Sequence, residues 1–183
     1  MKFVEVKDNI YRIKSILDTK DFFSLNDELN SKYNTWRFTK NDSYEEDHPN
    51  MGCLMKPLSK FNTIGDNLTL IKYGTLLKYQ CQKIIKQNLT LNRVNTNIQF
   101  FGQESTFHTD GSFGSWTLLI FANPSWNSVW GGEFVVMTED KEYLYQSFIP
   151  NDAVLFPAHL EHMGFAPNVL CKHPRMTIAY TYT

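Results

Sequence analysis

The sequence predicts an α+β protein that is mainly β, with helices first and a sandwich or barrel of short strands after them. Three observations predict it. Apolar residues recur at helical spacing up to about residue 90 and alternate after it. Turn residues punctuate the second half at short intervals, at Asn123–Pro124, Gly131–Gly132 and Pro150–Asn151–Asp152. Aromatic residues make up 15% of the chain, which suits large flat side chains filling the space between packed sheets.

In the first part, Ile10, Ile13, Ile16 and Leu17 predict a helix over residues 8–18. A short second helix is expected around Leu25–Leu29, capped by Ser24. Residues 34–60 are polar, carry the acidic run YEEDHPN and read as a long loop, of the kind that serves as a lid. Residues 61–89 predict one long helix, or two broken near Gly74. In the second part, strands are expected at Val94–Phe101, Trp116–Phe121, Glu133–Met137, Tyr143–Phe148, Ala153–Phe156 and the closing RMTIAYTYT. Six or more short strands with regular turns fit a double-sheet jelly roll. The expected organisation is one domain over 1–183, with 1–90 as helical support and loop and 91–183 as the jelly-roll core.

Charge and cysteine content argue against several functions. The net charge of −1 offers no electrostatic grip on nucleic acid or an anionic membrane. No apolar run approaches the ~18 residues of a membrane span. Three cysteines at unrelated spacings form neither a disulfide framework nor a zinc knuckle, and a cytoplasmic location is the simplest expectation.

Three places carry chemistry. His108-Thr109-Asp110 puts an imidazole and a carboxylate at i and i+2, on one face if the segment is extended, so both can grip one metal ion. A lone pair of this kind is also common on solvated strand ends. A second histidine about 50 residues later, His159 or His162, would complete two histidines and a carboxylate, a facial set that leaves half an octahedron open. Arg175 opens an apolar strand with Thr177 on the same face. A buried guanidinium needs a carboxylate, from a ligand or from a protein acid such as Glu133.

Taken together, NTNIQFFGQESTFHTD, WTLLIFANPSWNSVWGGEF, NDAVLFPAHLEHMGFAP and the strand from Arg175 resemble the 2-oxoglutarate/Fe(II) dioxygenases, most closely their prolyl 4-hydroxylase-like branch of bacterial and phage type. The resemblance covers roughly residues 92–182. It implies a double-stranded β-helix and Fe(II) held by His108, Asp110 and His162, with His162 preferred to His159 because MGFAP follows it. It implies that Arg175, with Thr177 beside it, binds the far carboxylate of 2-oxoglutarate. His173 is the remaining basic alternative, poorly placed next to Pro174. The implied reaction consumes O2 and 2-oxoglutarate and hydroxylates an unactivated C–H bond, with ascorbate admitted as an accessory reductant. The branch points to a prolyl residue in a peptide or protein, and Trp116, Trp126 or Trp130 could line its groove. A 2-oxoglutarate oxygenase acting on nucleic acid or a small molecule is an alternative, as is a non-enzymatic jelly-roll binding module.

Overall fold

The computed structural model describes residues 2–31, 37–40, 52–57, 68–103 and 105–183. A hairpin opens the chain: β1 (Lys2–Lys7) and β2 (Ile10–Lys14). Then come α1 (Thr19–Leu29), β3 (Arg37–Lys40), β4 (Gly52–Pro57), α2 (Leu68–Ile85) and β5 (Leu91–Gln99). The rest is β6 (Trp116–Phe121), β7 (Phe134–Met137), β8 (Tyr143–Gln146), β9 (Ala153–Pro157), β10 (His162–Gly164) and β11 (Arg175–Tyr182). An eight-stranded antiparallel sheet runs β1-β2-β9-β6-β11-β5-β4-β3, and a three-stranded one runs β10-β7-β8.

The central strands of the large sheet are covered on both faces, and strand alternation sorts side chains between them. Met176, Ile178, Tyr180 and Tyr182 of β11 join Leu70, Tyr73, Leu77 and Cys81 of α2 in a core between helices and sheet. A second core fills the space between the two sheets, with Leu119, Phe121, Phe134, Val136, Val154 and Phe156. Residues 175, 177, 179 and 181 of β11 face that inner side, where the cavity lies.

The helix expected over residues 8–18 is instead a hairpin. Asp8 and Asn9 take positive φ (52° and 61°) and form a two-residue turn of the kind that suits tight hairpins. The three-residue spacing misled because Ile10 and Ile13 lie on opposite faces of β2: Ile10 enters the inter-sheet core and Ile13 the helix-side core. Residues an odd number apart on a strand point opposite ways, so both are satisfied. The second helix starts earlier than expected. Its cap is Asp18, whose carboxylate accepts from Asp21 N at 2.8 Å, and Ser24 lies inside the helix. The 34–60 segment is not wholly loop, since β3 and β4 pair with each other and β4 extends the sheet from β5. The acidic stretch and the remainder of that segment, with any lid behaviour, lie outside the described residues. Helix α2 passes through Gly74 unbroken. Four strands that precede residue 90 thus belong to the large sheet.

Among the described residues, no helix is long and apolar enough to cross a membrane.

Candidate metal and ligand site

A cavity of about 480 Å³ opens between the sheets, walled by β5, β6, β11, β7 and β10. His108, Asp110 and His162 line it, and so do Arg175 and Thr177. The HxD segment is not a regular strand. His108 makes an isolated antiparallel bridge with His162, and Asp110 sits in a bend. The carbonyl of Ala158, directly after Phe156-Pro157, accepts from Asp110 N at 2.9 Å and Gly111 N at 3.1 Å. The FPA turn therefore sets the backbone position of the carboxylate.

One ligand atom from each of the three residues lies within 4.8 Å of the others. His162 Nε2 is 3.4 Å from Asp110 Oδ2, and the two imidazole centroids are 4.5 Å apart. Two donors at right angles about one ion, each ~2.1 Å from it, would be about 3 Å apart, so the separation fits a shared metal. The ring orientations fit as well. His108 Nδ1 is 2.9 Å from Thr106 O, and His162 Nδ1 is 3.0 Å from Leu160 O. A carbonyl can only accept, so each ring donates through Nδ1, which leaves Nε2 as the atom each would offer a metal.

The electrostatics favour this ligand state. Burial, and then the neighbouring His162, push the His108 pKa below its ordinary value, so the ring is neutral near pH 7. Burial alone would raise the Asp110 pKa, but His162, His108 and Arg93 outweigh it and hold the carboxyl well below the usual range. Asp110 is therefore a charged carboxylate, gripped by Arg93 NH2 at Oδ1 (3.1 Å) and by the Thr117 hydroxyl at Oδ2 (2.9 Å).

Arg175 is buried and threaded between two glycines. Its Nε donates to Gly132 O and its NH1 to Gln99 Oε1, both at 2.8 Å. A Cβ on Gly164 would lie 2.9 Å from Arg175 NH2, and one on Gly132 would lie 3.0 Å from Trp126 Cζ2 and 3.3 Å from Arg175 Cδ, at a φ of 82° that favours glycine. Gln99 is itself fixed, since its Nε2 donates to Gly164 O at 3.1 Å. Thr177 lies two residues along β11 on the same cavity wall.

Among the described residues, the other two histidines face elsewhere. The His159 ring stacks on Phe113, with centroids 3.8 Å apart, and its Nε2 is 3.8 Å from Glu139. His173 packs 5.7 Å from the Trp130 ring. Trp116 is buried on the helix side, and Trp126 packs on Phe148 with its centroid 4.4 Å away. Sequence reasoning missed Arg93, Gln99 and Thr117 as site residues. A signal was available: Arg93, Asn95, Asn97 and Gln99 alternate with Val94, Thr96 and Ile98, which gives β5 one polar face.

Solved structures place this architecture. A prolyl hydroxylase from Trichoplax adhaerens, in complex with a hypoxia inducible factor peptide fragment, superposes with a TM-score of 0.72 at 15% identity, covering 96% of this chain and 84% of that one. An oxidoreductase of the 2OG-Fe(II) oxygenase family from Burkholderia pseudomallei gives 0.70 at 11%, covering 93% and 82%. A Pseudomonas putida prolyl-4-hydroxylase gives 0.66 at 9%, covering 96% and 92%. The chain has the fold of the 2-oxoglutarate/Fe(II) dioxygenases. The jelly roll expected from the strand pattern and the motifs is present, and within this dioxygenase fold a His-Asp-His set meets in the cavity. A further neighbour is SnoN, a non-heme alpha ketoglutarate dependent epimerase from nogalamycin biosynthesis, with a TM-score of 0.66 at 12% identity and coverage of 96% and 78%. No protein-family model and no curated protein sequence matches the chain.

Proposed function

We propose that this protein is an Fe(II)- and 2-oxoglutarate-dependent dioxygenase that hydroxylates an unactivated C–H bond, with a prolyl residue of a peptide or protein as its substrate. The observation that carries the reading is the sharing of one cavity by two kinds of group. Two imidazoles and a carboxylate converge at one part of it, and a buried guanidinium stands at another. A binding module has no use for that combination. Three protein donors on one side of an ion leave room for a bidentate co-substrate and O2. Bound Fe(II) with 2-oxoglutarate would supply the oxidising power, through oxidative decarboxylation of the co-substrate to succinate.

The chain's own residues bind, orient and exclude water. His108, Asp110 and His162 would hold the iron. Arg175, its fork fixed by Gly132 O and Gln99, would hold the far carboxylate of 2-oxoglutarate, with Thr177 beside it. Leu119, Phe134 and Ala179 form the apolar part of the wall and strengthen these charge contacts by displacing water.

The peptide substrate is supported by the neighbour solved with a bound peptide. A small-molecule substrate is favoured instead by the similarity to the nogalamycin epimerase. The net charge of −1 speaks against nucleic acid. Two measurements test the reading. Purified protein with Fe(II), 2-oxoglutarate and O2 should form succinate slowly without any substrate, and no succinate would overturn the oxygenase assignment. A proline-containing peptide library should then show a ~16 Da mass gain, the mass of one oxygen atom inserted by this chemistry. Succinate formation with no peptide modified would move the substrate to a small molecule.

A further inference from the structure

We propose that Arg93 is a positioning residue which, together with Thr117, restricts Asp110 to a single ligating oxygen. The inference rests on reading His108, Asp110 and His162 as a metal centre. It follows from the way the two carboxylate oxygens of Asp110 are distinguished. Arg93 NH2 lies 3.1 Å from Oδ1, and the same nitrogen reaches the Asp110 backbone carbonyl at 3.0 Å and Thr181 Oγ1 at 3.5 Å. Thr117 Oγ1 donates to the other oxygen, Oδ2, at 2.9 Å. It is Oδ2 that faces His162 Nε2, at 3.4 Å.

The strand register makes the clamp. Arg93 of β5 pairs with Thr181 of β11, and Thr181 pairs with Thr117 of β6, so the three side chains stand in one row on the cavity face. Asn95, two residues along β5, accepts from Arg93 Nε at 3.3 Å when its carboxamide oxygen is turned toward it. The guanidinium is thus held at several points, although its side chain is 40% exposed.

The consequence concerns coordination number. A carboxylate free to turn about its Cβ–Cγ bond can close on a metal with both oxygens and occupy an extra position. A cation bonded to Oδ1 and to the backbone of the same residue opposes that turn. The Thr117 hydroxyl uses one lone pair of Oδ2 and leaves the other toward His162. Asp110 then contributes one bond, and the positions needed by a bidentate co-substrate and O2 stay open. Partners of metal ligands typically contribute 10–100-fold to metal affinity.

The test uses Co(II) as a spectroscopic probe, titrated without oxygen or co-substrate, so activity is not the readout. R93M should bind Co(II) roughly 10- to 100-fold more weakly than the wild type. Its visible d–d band should be less intense, as expected when a second carboxylate oxygen joins the ion. R93K, which keeps a cation within reach of Oδ1, should recover part of both. T117V should shift both in the same direction by less. Should R93M fail to fold by circular dichroism, R93Q takes its place with the same expectations. R93M or R93Q with wild-type affinity and spectrum overturns the clamp and leaves the metal centre standing. A wild type that takes up no Co(II) overturns the metal centre and the clamp together.

Discussion

His108 and His162 exchange both of their backbone hydrogen bonds, N to O at 3.1 and 3.0 Å, and each ring donates Nδ1–H to the carbonyl two residues before it. The same local geometry is therefore built twice, on two segments 54 positions apart in sequence, and turns two Nε2 atoms toward one cavity. With Fe(II) and 2-oxoglutarate under anaerobic conditions, the wild type should develop a visible charge-transfer band. His162→Ala should abolish it. His159→Ala should keep it, because that ring is stacked on Phe113 and directed at Glu139. The reverse pattern would reassign the third ligand.

Arg175 acts on the co-substrate and not on the metal in this scheme. Arg175→Ala should raise the KM for 2-oxoglutarate while Fe(II) affinity stays nearly unchanged. A charge-assisted hydrogen bond contributes ~1.5–3 kcal/mol, or roughly 10- to 150-fold in binding. Arg175→Lys should rescue little, since a lysine cannot reproduce the fork that bonds Gly132 O and Gln99. Loss of the buried donors also lowers stability, so thermal melting should accompany the kinetics. Wild-type 2-oxoglutarate affinity in Arg175→Ala would reduce the arginine to a structural role.

Gly74 tests the packing of α2 on the sheet. A Cβ there would come within 2.7 Å of both Leu91 Cδ2 and the Tyr180 ring. Gly→Ala in a helix interior normally gains up to ~1 kcal/mol. Here overpacking should win, because Tyr180 is fully buried and cannot yield, and Gly74→Ala should lose roughly 1–3 kcal/mol by urea unfolding. A gain in stability would mean that helix and sheet separate at little cost.

The legible parts of this sequence were those where one physical pattern acted alone. Strand β6 was read with its observed bounds because six consecutive apolar or small residues sit between clear turns. His108, Asp110 and His162 were legible as a set through their motifs, although the extended strand expected for HxD is a bridge and a bend. The hairpin of β1 and β2 was hidden because Ile10 and Ile13, three residues apart, enter different cores from opposite faces of β2 and so imitate helical spacing. Arg93 and Gln99 were hidden for a different reason. Their roles depend on register with β11, which pairs Arg93 with Thr181 and Gln99 with Arg175, and no local pattern encodes a pairing across more than 70 residues.

The alkaline limit of stability should trace to the helix-side core. Cys81 on α2 is fully buried, and burial pushes its thiol up to about 12 from 9.0. Burial raises Tyr180 and Tyr182 as well. For each of these groups the folded pKa exceeds the unfolded one, so its contribution is complete below the unfolded pKa and is lost as pH rises through the folded pKa. Between pH 9 and about 12 the unfolded chain releases the Cys81 proton and the folded chain keeps it. The unfolded state then binds fewer protons, and stability falls by up to about 1.4 kcal/mol per pH unit for each such group. Calorimetry from pH 8 to 10.5 should show the melting temperature falling, with the tyrosines adding to the slope above pH 10. Cys81→Ala should flatten the first part of that decline, between pH 9 and 10, after allowance for a lower starting stability from the small cavity. A disulfide reagent at pH 8 should leave Cys81 unmodified in the folded protein and react with it promptly in urea. Prompt modification of native Cys81 would mean that α2 opens readily from the sheet, and the flattening expected of Cys81→Ala should then vanish too.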